Sequence, residues 1–118
     1  MDSISPLYLL LYSYRGIIIS AMSEHHRYHY SITIETADEV VLQCLRAISD
    51  YAQVLGNKRI AWGGTKKRGW QRNRNQVTFH FSDPQYRNVF RIEAQRILPA
   101  TLWHVVRESD NDPAVPQN

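Results

Sequence analysis

Residues 60–75, IAWGGTKKRGWQRNRN, constrain the fold of this chain more than any other stretch. β-type residues flank the stretch on both sides and three glycines lie inside it, which is typical of the connection of a β-hairpin. A hairpin here joins a strand over residues 58–62 to a strand over residues 76–81. The pattern therefore predicts two antiparallel strands in the middle of the chain.

The segment before this hairpin predicts one strand and one helix. Residues 29–35, HYSITIE, alternate polar and apolar side chains, as half-buried strands do. Residues 36–39, TADE, have the pattern of a capping box, in which the Thr and Glu side chains satisfy free backbone N–H groups at a helix start. We expect the helix to end at Gly56. Its apolar stripe consists of Val41, Cys44, Leu45, Ile48, Ala52 and Leu55.

The segment after the hairpin predicts a second helix and a last strand. Ser82-Asp83-Pro84 is typical of a helix start, because Pro suits the first turn and either polar residue can cap it. The helix should end before Pro99, and residues 101–107 form the last strand. The expected buried stripe consists of Tyr86, Val89, Phe90, Ala94, Ile97 and Leu98. The inward side of the last strand is either Leu102, His104 and Val106 or Trp103 and Val105.

The order β-α-β-β-α-β predicts an α+β fold of the ferredoxin-like, split βαβ kind. Its antiparallel sheet has the strand order 4-1-3-2, with both helices on one face and the other face open. Because the first and third strands are then neighbours, His29 and His80 should lie close together on the open face. Ser31, Thr33 and Thr78 share that face.

The predicted domain covers residues 27–108, between an N-terminal extension and a tail. Residues 1–26 begin with an apolar run that Arg15 interrupts, and each half is shorter than the roughly 20 residues of a membrane span. We expect translation to start at Met22, or the extension to be disordered, with a membrane anchor as the alternative. Residues 109–118 contain two prolines and few apolar side chains, which predicts a disordered tail.

Positive charge is concentrated between Asp50 and Asp83, where the sequence has no carboxylate. The chain as a whole carries +3, but residues 27–108 have thirteen Lys and Arg against seven Asp and Glu, hence +6. Such a basic footprint is typical of nucleic-acid binding. Half of the fourteen basic residues lie in this interval: Lys58, Arg59, Lys66, Lys67, Arg68, Arg72 and Arg74.

These residues predict a protein that binds nucleic acid, RNA or another single strand, with no cofactor. The cations of the 58–74 hairpin neutralise phosphates, while Trp70 stacks on a base and the open sheet face extends the surface. An exposed Trp103 would strengthen this interpretation, and a buried one would remove that support. With the single cysteine Cys44 the chain has no internal disulfide, and we expect a cytoplasmic protein.

Three alternatives remain open. His29 and His80 could act as base and acid in RNA cleavage without a metal. The hairpin could instead bind an acidic protein surface, as part of an assembly or inhibitor module. A solvated hairpin tip would also account for the charge. We predict no metal site at His25, His26 and His29, because they lie before and at the start of a strand, where no acidic or cysteine ligand is fixed nearby.

Overall fold

The computed structural model describes residues 24–61 and 67–116. The N-terminal extension predicted over residues 1–26 therefore lies mostly outside the described residues. Its described part, residues 24–26, is helical. In chain order the elements are β1 (Tyr30–Glu35), α1 (Glu39–Ala52), α2 (Lys58–Ala61), α3 (Lys67–Arg72), β2 (Gln76–Phe81), α4 (Pro84–Ile97) and β3 (His104–Ser109). The strands form one antiparallel sheet in the order β2-β1-β3. Across both described ranges, no helix has the length and apolar character needed to cross a membrane.

The predicted ferredoxin-like order 4-1-3-2 is wrong. Residues 58–61, expected in the second strand, form α2, and no fourth strand joins the sheet within the described residues. α2 buries two consecutive side chains, Ile60 and Ala61, whereas a half-buried strand buries alternate ones. Ile60 packs with Tyr28 and Ala114, while Ala61 joins the main core. The fold is therefore α+β with a three-stranded sheet.

The main core lies between one face of the sheet and the helices α1 and α4. Phe90 of α4 sits at its centre, with its ring centroid 4.8 Å from that of Phe79 and 5.4 Å from that of Phe81. The inward sides predicted for β1 and β2 are confirmed by their buried side chains, Ile32, Ile34, Val77, Phe79 and Phe81. Burial alternates along β2 as predicted, but β1 is not half-buried, since Ser31 and Thr33 on its other face are buried as well.

α1 begins at a different cap from the predicted one. The Asp38 carboxylate accepts hydrogen bonds from the N–H groups of Val40 and Val41, at 2.8 and 3.2 Å. The Thr36 hydroxyl, which the capping box would have used, donates to the carbonyl of Leu102 at 2.7 Å. Thr36 thereby joins the β1–α1 connection to the segment that precedes β3.

The end of α1 also differs from the prediction. The helix stops at Ala52, and Leu55, expected in its buried stripe, is exposed. Gln53, which is fully buried, donates to the Leu55 carbonyl and to the Ser82 hydroxyl, and accepts from the Ser82 N–H. These bonds hold the chain directly after Ala52, and the helix ends there rather than at Gly56.

α4 begins as predicted, with Asp83 as the cap and Pro84 as the first helical residue. Its buried stripe is narrower than expected, since Val89 and Ile97 are exposed. The helix covers the sheet with one narrow row, and side chains at the margins of that row face solvent. Phe90 and Ala94 form the fully buried part of the stripe.

Residues 109–114, predicted to be part of a disordered tail, continue the structure beyond residue 108. Ser109 is the last residue of β3. The Asp112 N–H donates to the His29 carbonyl at 2.9 Å, and the Ala114 N–H donates to the Tyr28 carbonyl at 3.0 Å. Composition gave no sign of this, because backbone hydrogen bonds and single contacts such as the burial of Ala114 against Tyr28 and Ile60 hold the segment.

Candidate nucleic-acid interface

Within the described residues, the cations of the basic segment, residues 58–74, are all exposed: Lys58, Arg59, Lys67, Arg68, Arg72 and Arg74. The predicted residue Lys66 lies outside the described residues. Lys67 Nζ lies 3.2 Å from Glu39 Oε1. In the part of the chain that the structure describes, Arg68, Arg72 and Arg74 make no ion pair. Their charge therefore remains available to a partner.

Trp70 does not lie where its predicted role requires. The side chain is 3% exposed and belongs to the main core. Its Nε1–H donates to the Thr36 carbonyl at 2.9 Å. The ring has no exposed face to stack on a base, contrary to the prediction. Trp70 instead fixes α3 against the β1–α1 connection.

A tight turn after α3 directs the chain into β2. Arg74 and Asn75 have φ angles of 56° and 63°, in the left-handed region. The Asn75 N–H donates to the Trp70 carbonyl at 2.9 Å, and the Asn75 carbonyl accepts from the Thr36 N–H at 3.0 Å. These bonds hold the turn in place, so the exposed Arg74 side chain leaves a fixed backbone.

The two predicted catalytic histidines both contact the segment that follows β3. His29 Nδ1 lies 2.7 Å from the Asp110 carbonyl oxygen, so this nitrogen is the donor. His80 Nε2 lies 3.5 Å from Asp112 Oδ2, and the side chain is 15% exposed. Burial lowers the pKa of His80 below its ordinary value, while Asp112 opposes the shift. RNA cleavage by these two histidines stays a prediction.

The sheet face that we expected to be open is covered at its centre. Ser31 and Thr33 are buried, and the Thr33 hydroxyl lies 2.8 Å from that of Thr78. Trp103 is 8% exposed and joins the main core. The inward side of the last strand is therefore Trp103 and Val105, since Val105 packs against the same core. The burial of Trp103 removes the support that an exposed Trp103 would have given.

A polar cavity of about 530 Å³ lies between the β1–α1 connection and the segment before β3. His104 Nε2 is 3.7 Å and Gln76 Nε2 is 3.4 Å from the same oxygen, Glu35 Oε1. Among the described residues the buried indole N–H of Trp103 has no acceptor. The lining residues are Glu35, Thr36, Ala37, Asp38, Ala100, Thr101, Leu102, Trp103 and His104.

Sequence reasoning missed this cavity because its two walls are more than 60 positions apart in the chain, as the Thr36–Leu102 bond shows. No short motif marks either wall. A second, smaller cavity of about 320 Å³ lies between α1 and α4. In residues 24–61 and 67–116, no cluster of three or more His, Cys, Asp or Glu side chains is placed to hold a metal ion.

Comparison with known proteins gives no further assignment. No protein-family model matches the chain, and neither the curated proteins nor the solved structures contain a significant match.

Proposed function

We propose that the protein binds nucleic acid, RNA or another single strand, through the basic segment. The observation that carries this proposal is the division of the segment into two sides. Its apolar side chains Ile60 and Trp70 are buried, while its described cations are exposed. A partner with regularly spaced negative charges matches such a surface, since each phosphate neutralised releases condensed counterions.

The attachment of α3 supports this proposal over a solvated loop. Charge alone keeps a loop soluble, and no buried contact is needed for that. Here the Trp70 indole donates to the Thr36 carbonyl, and Asn75 is bonded to both Trp70 and Thr36. Arg68, Arg72 and Arg74 therefore leave a backbone of defined position. A preorganised set of cations loses less conformational entropy on binding than a flexible one.

The proposed interface is smaller than the one predicted from the sequence. It assigns no stacking to Trp70 and does not use the covered sheet face. A cytoplasmic location stays part of the proposal, as a chain with the single cysteine Cys44 suits a reducing compartment. An acidic protein surface is the competing partner, and the test below includes it.

The test is the salt dependence of binding to a single-stranded RNA. Each phosphate contact contributes roughly −0.7 to the slope of log K against log salt. The triple variant Arg68→Gln, Arg72→Gln, Arg74→Gln should flatten this slope by about 2 units if all three side chains contact phosphates. The loss should be uniform across RNA sequences, because phosphate contacts carry no base information.

A matched control removes three charges elsewhere. Arg91, Arg96 and Arg107 lie on α4 and β3, and changing all three to Gln should leave the slope within about 0.5 unit of the parent value. Equal slopes for the two triple variants would refute the proposal. Poly-glutamate that binds as tightly as RNA at equal ionic strength would favour the protein partner instead.

A further inference from the structure

The polar cavity adjoins the basic segment through one shared stretch of backbone, residues 36–39. The Thr36 carbonyl accepts from Trp70 of α3, and the Thr36 N–H donates to the Asn75 carbonyl. Lys67 at the start of α3 pairs with Glu39 at 3.2 Å. α3 and the turn that follows it therefore lie beside one wall of the cavity.

The charge of the cavity is opposite to that of the basic segment. Its lining includes the carboxylates of Glu35 and Asp38. The Asp38 carboxylate already accepts two N–H groups of α1. The contacts of Glu35 with Gln76 and His104 are long, 3.4 and 3.7 Å, and both involve Oε1. A phosphate is repelled here, whereas a group with hydrogen-bond donors is attracted.

We propose that this cavity binds one base of the strand and prefers guanine. The proposal extends the proposed function and rests on it. Bases of single strands are commonly recognised by hydrogen bonds to their Watson–Crick edges. Guanine has two adjacent donors on that edge, the ring N1–H and the exocyclic amine, which match the two oxygens of the Glu35 carboxylate. Adenine, cytosine and uracil each present one donor group on that edge.

The other wall of the cavity supplies groups suited to a flat, polar ligand. Thr101 and His104 contribute a hydroxyl and an imidazole. Trp103 contributes an indole whose N–H is buried without an acceptor among the described residues. A volume of about 530 Å³ lies within the range of roughly 300–1,000 Å³ typical of small-molecule sites. The volume is therefore sufficient for one base.

The experiment compares four RNA nonamers that differ only in their central base, G, A, C or U, within a run of uridines. Their phosphate charge is identical, so differences in affinity report the base alone. We expect the G strand to bind about tenfold more tightly than the U strand, as for a well-formed bidentate contact. Glu35→Gln should reduce this ratio to within about twofold and leave the salt slope unchanged, because an amide has only one acceptor oxygen.

Glu93→Gln on α4 is the matched control, since it removes one carboxylate at a site away from the cavity, and the G preference should persist. Equal affinity for all four strands in the parent protein would overturn the base site and leave the proposed function standing. A G preference that survives in Glu35→Gln would overturn it as well.

Guanosine separates the two proposals because it has no phosphate. Guanosine is added to the parent and to the Arg68, Arg72, Arg74 triple variant, and the NMR resonance of the Trp103 indole N–H is followed. A saturable shift of this resonance in both proteins supports the base site even if strands do not bind. No movement up to the solubility limit of guanosine contradicts the site.

Discussion

Trp70 provides the sharpest test of how the basic segment is attached. We predict that Trp70→Phe destabilises the protein, because Phe fills most of the buried space but cannot donate to the Thr36 carbonyl. That carbonyl belongs to a residue that is itself buried and it accepts the indole N–H at 2.9 Å. Left without its donor, a buried acceptor costs about 1–3 kcal/mol.

The expected effect is large enough to measure. A loss of about 2 kcal/mol corresponds to a fall in Tm of roughly 8–16 °C for a domain of this size. Trp70→Ala adds an empty space in the core and should cost about 3–5 kcal/mol, a large share of the roughly 5–15 kcal/mol that holds most domains folded. Chemical denaturation followed by circular dichroism gives both free energies of unfolding.

Trp103→Phe is the internal control for this prediction. Trp103 is buried in the same core, but its indole N–H has no acceptor among the described residues. Trp103→Phe should therefore lower the free energy of unfolding by about 1–3 kcal/mol less than Trp70→Phe does, because it removes no hydrogen bond of this kind. Equal losses for the two Phe variants would refute the structural role of Trp70. A Trp70→Ala variant that is as stable as the parent but binds RNA weakly would restore the stacking role.

Two further predictions concern other parts of the fold. Gly56→Ala should lower the free energy of unfolding, measured in urea, by about 2–4 kcal/mol, because φ is +99° and the new Cβ would overlap the buried Tyr28 hydroxyl. The new Cβ of Gly69→Ala on α3 meets no atom, and this variant should be more stable than the parent by about 0.5–1 kcal/mol. Equal effects of the two changes would contradict this explanation. His80 has a lowered pKa, chiefly through burial and against the pull of Asp112, with His25 adding to the lowering. Between that pKa and the ordinary value near 6.5 the unfolded state binds more protons, so the free energy of unfolding should fall as the pH drops through this window. His80→Gln should make Tm less dependent on pH below about 6.5, whereas a steeper loss of Tm with acid in the variant would show that the Asp112 pair dominates.

The elements with clear hydrophobic periodicity could be predicted from the sequence. β1 and β2 alternate strictly, and their inward side chains form the core. The start of α4 at Asp83 and Pro84 was also evident, because both signals are local. Short-range patterns such as these depend on neighbouring residues. They did not show that Ser31 and Thr33, on the outward side of β1, are buried as well.

The predictions that were wrong concern residues whose structure depends on contacts with distant parts of the chain. A segment as short as residues 58–62 does not separate a strand from a helical turn by its pattern. Its described part, residues 58–61, is helical, with Ile60 packed against Tyr28 and Ala114. The capping box at residues 36–39 was overridden because Thr36 bonds to Leu102 instead. The sequence pattern predicted Trp70 on an exposed hairpin, whereas a hydrogen bond to Thr36, 34 positions away, holds it in the core.

Thr36 is the residue at which the two proposals meet. Its carbonyl accepts from Trp70, its N–H donates to Asn75, and its hydroxyl donates to Leu102 on the opposite wall of the cavity. One buried residue, Thr36, therefore fixes the position of α3 relative to the cavity. Because Thr36 contacts both through hydrogen bonds rather than through charge, the phosphate surface and the base site can be altered separately by mutation at Arg68 or at Glu35, while a change that moves Thr36 would disturb them together.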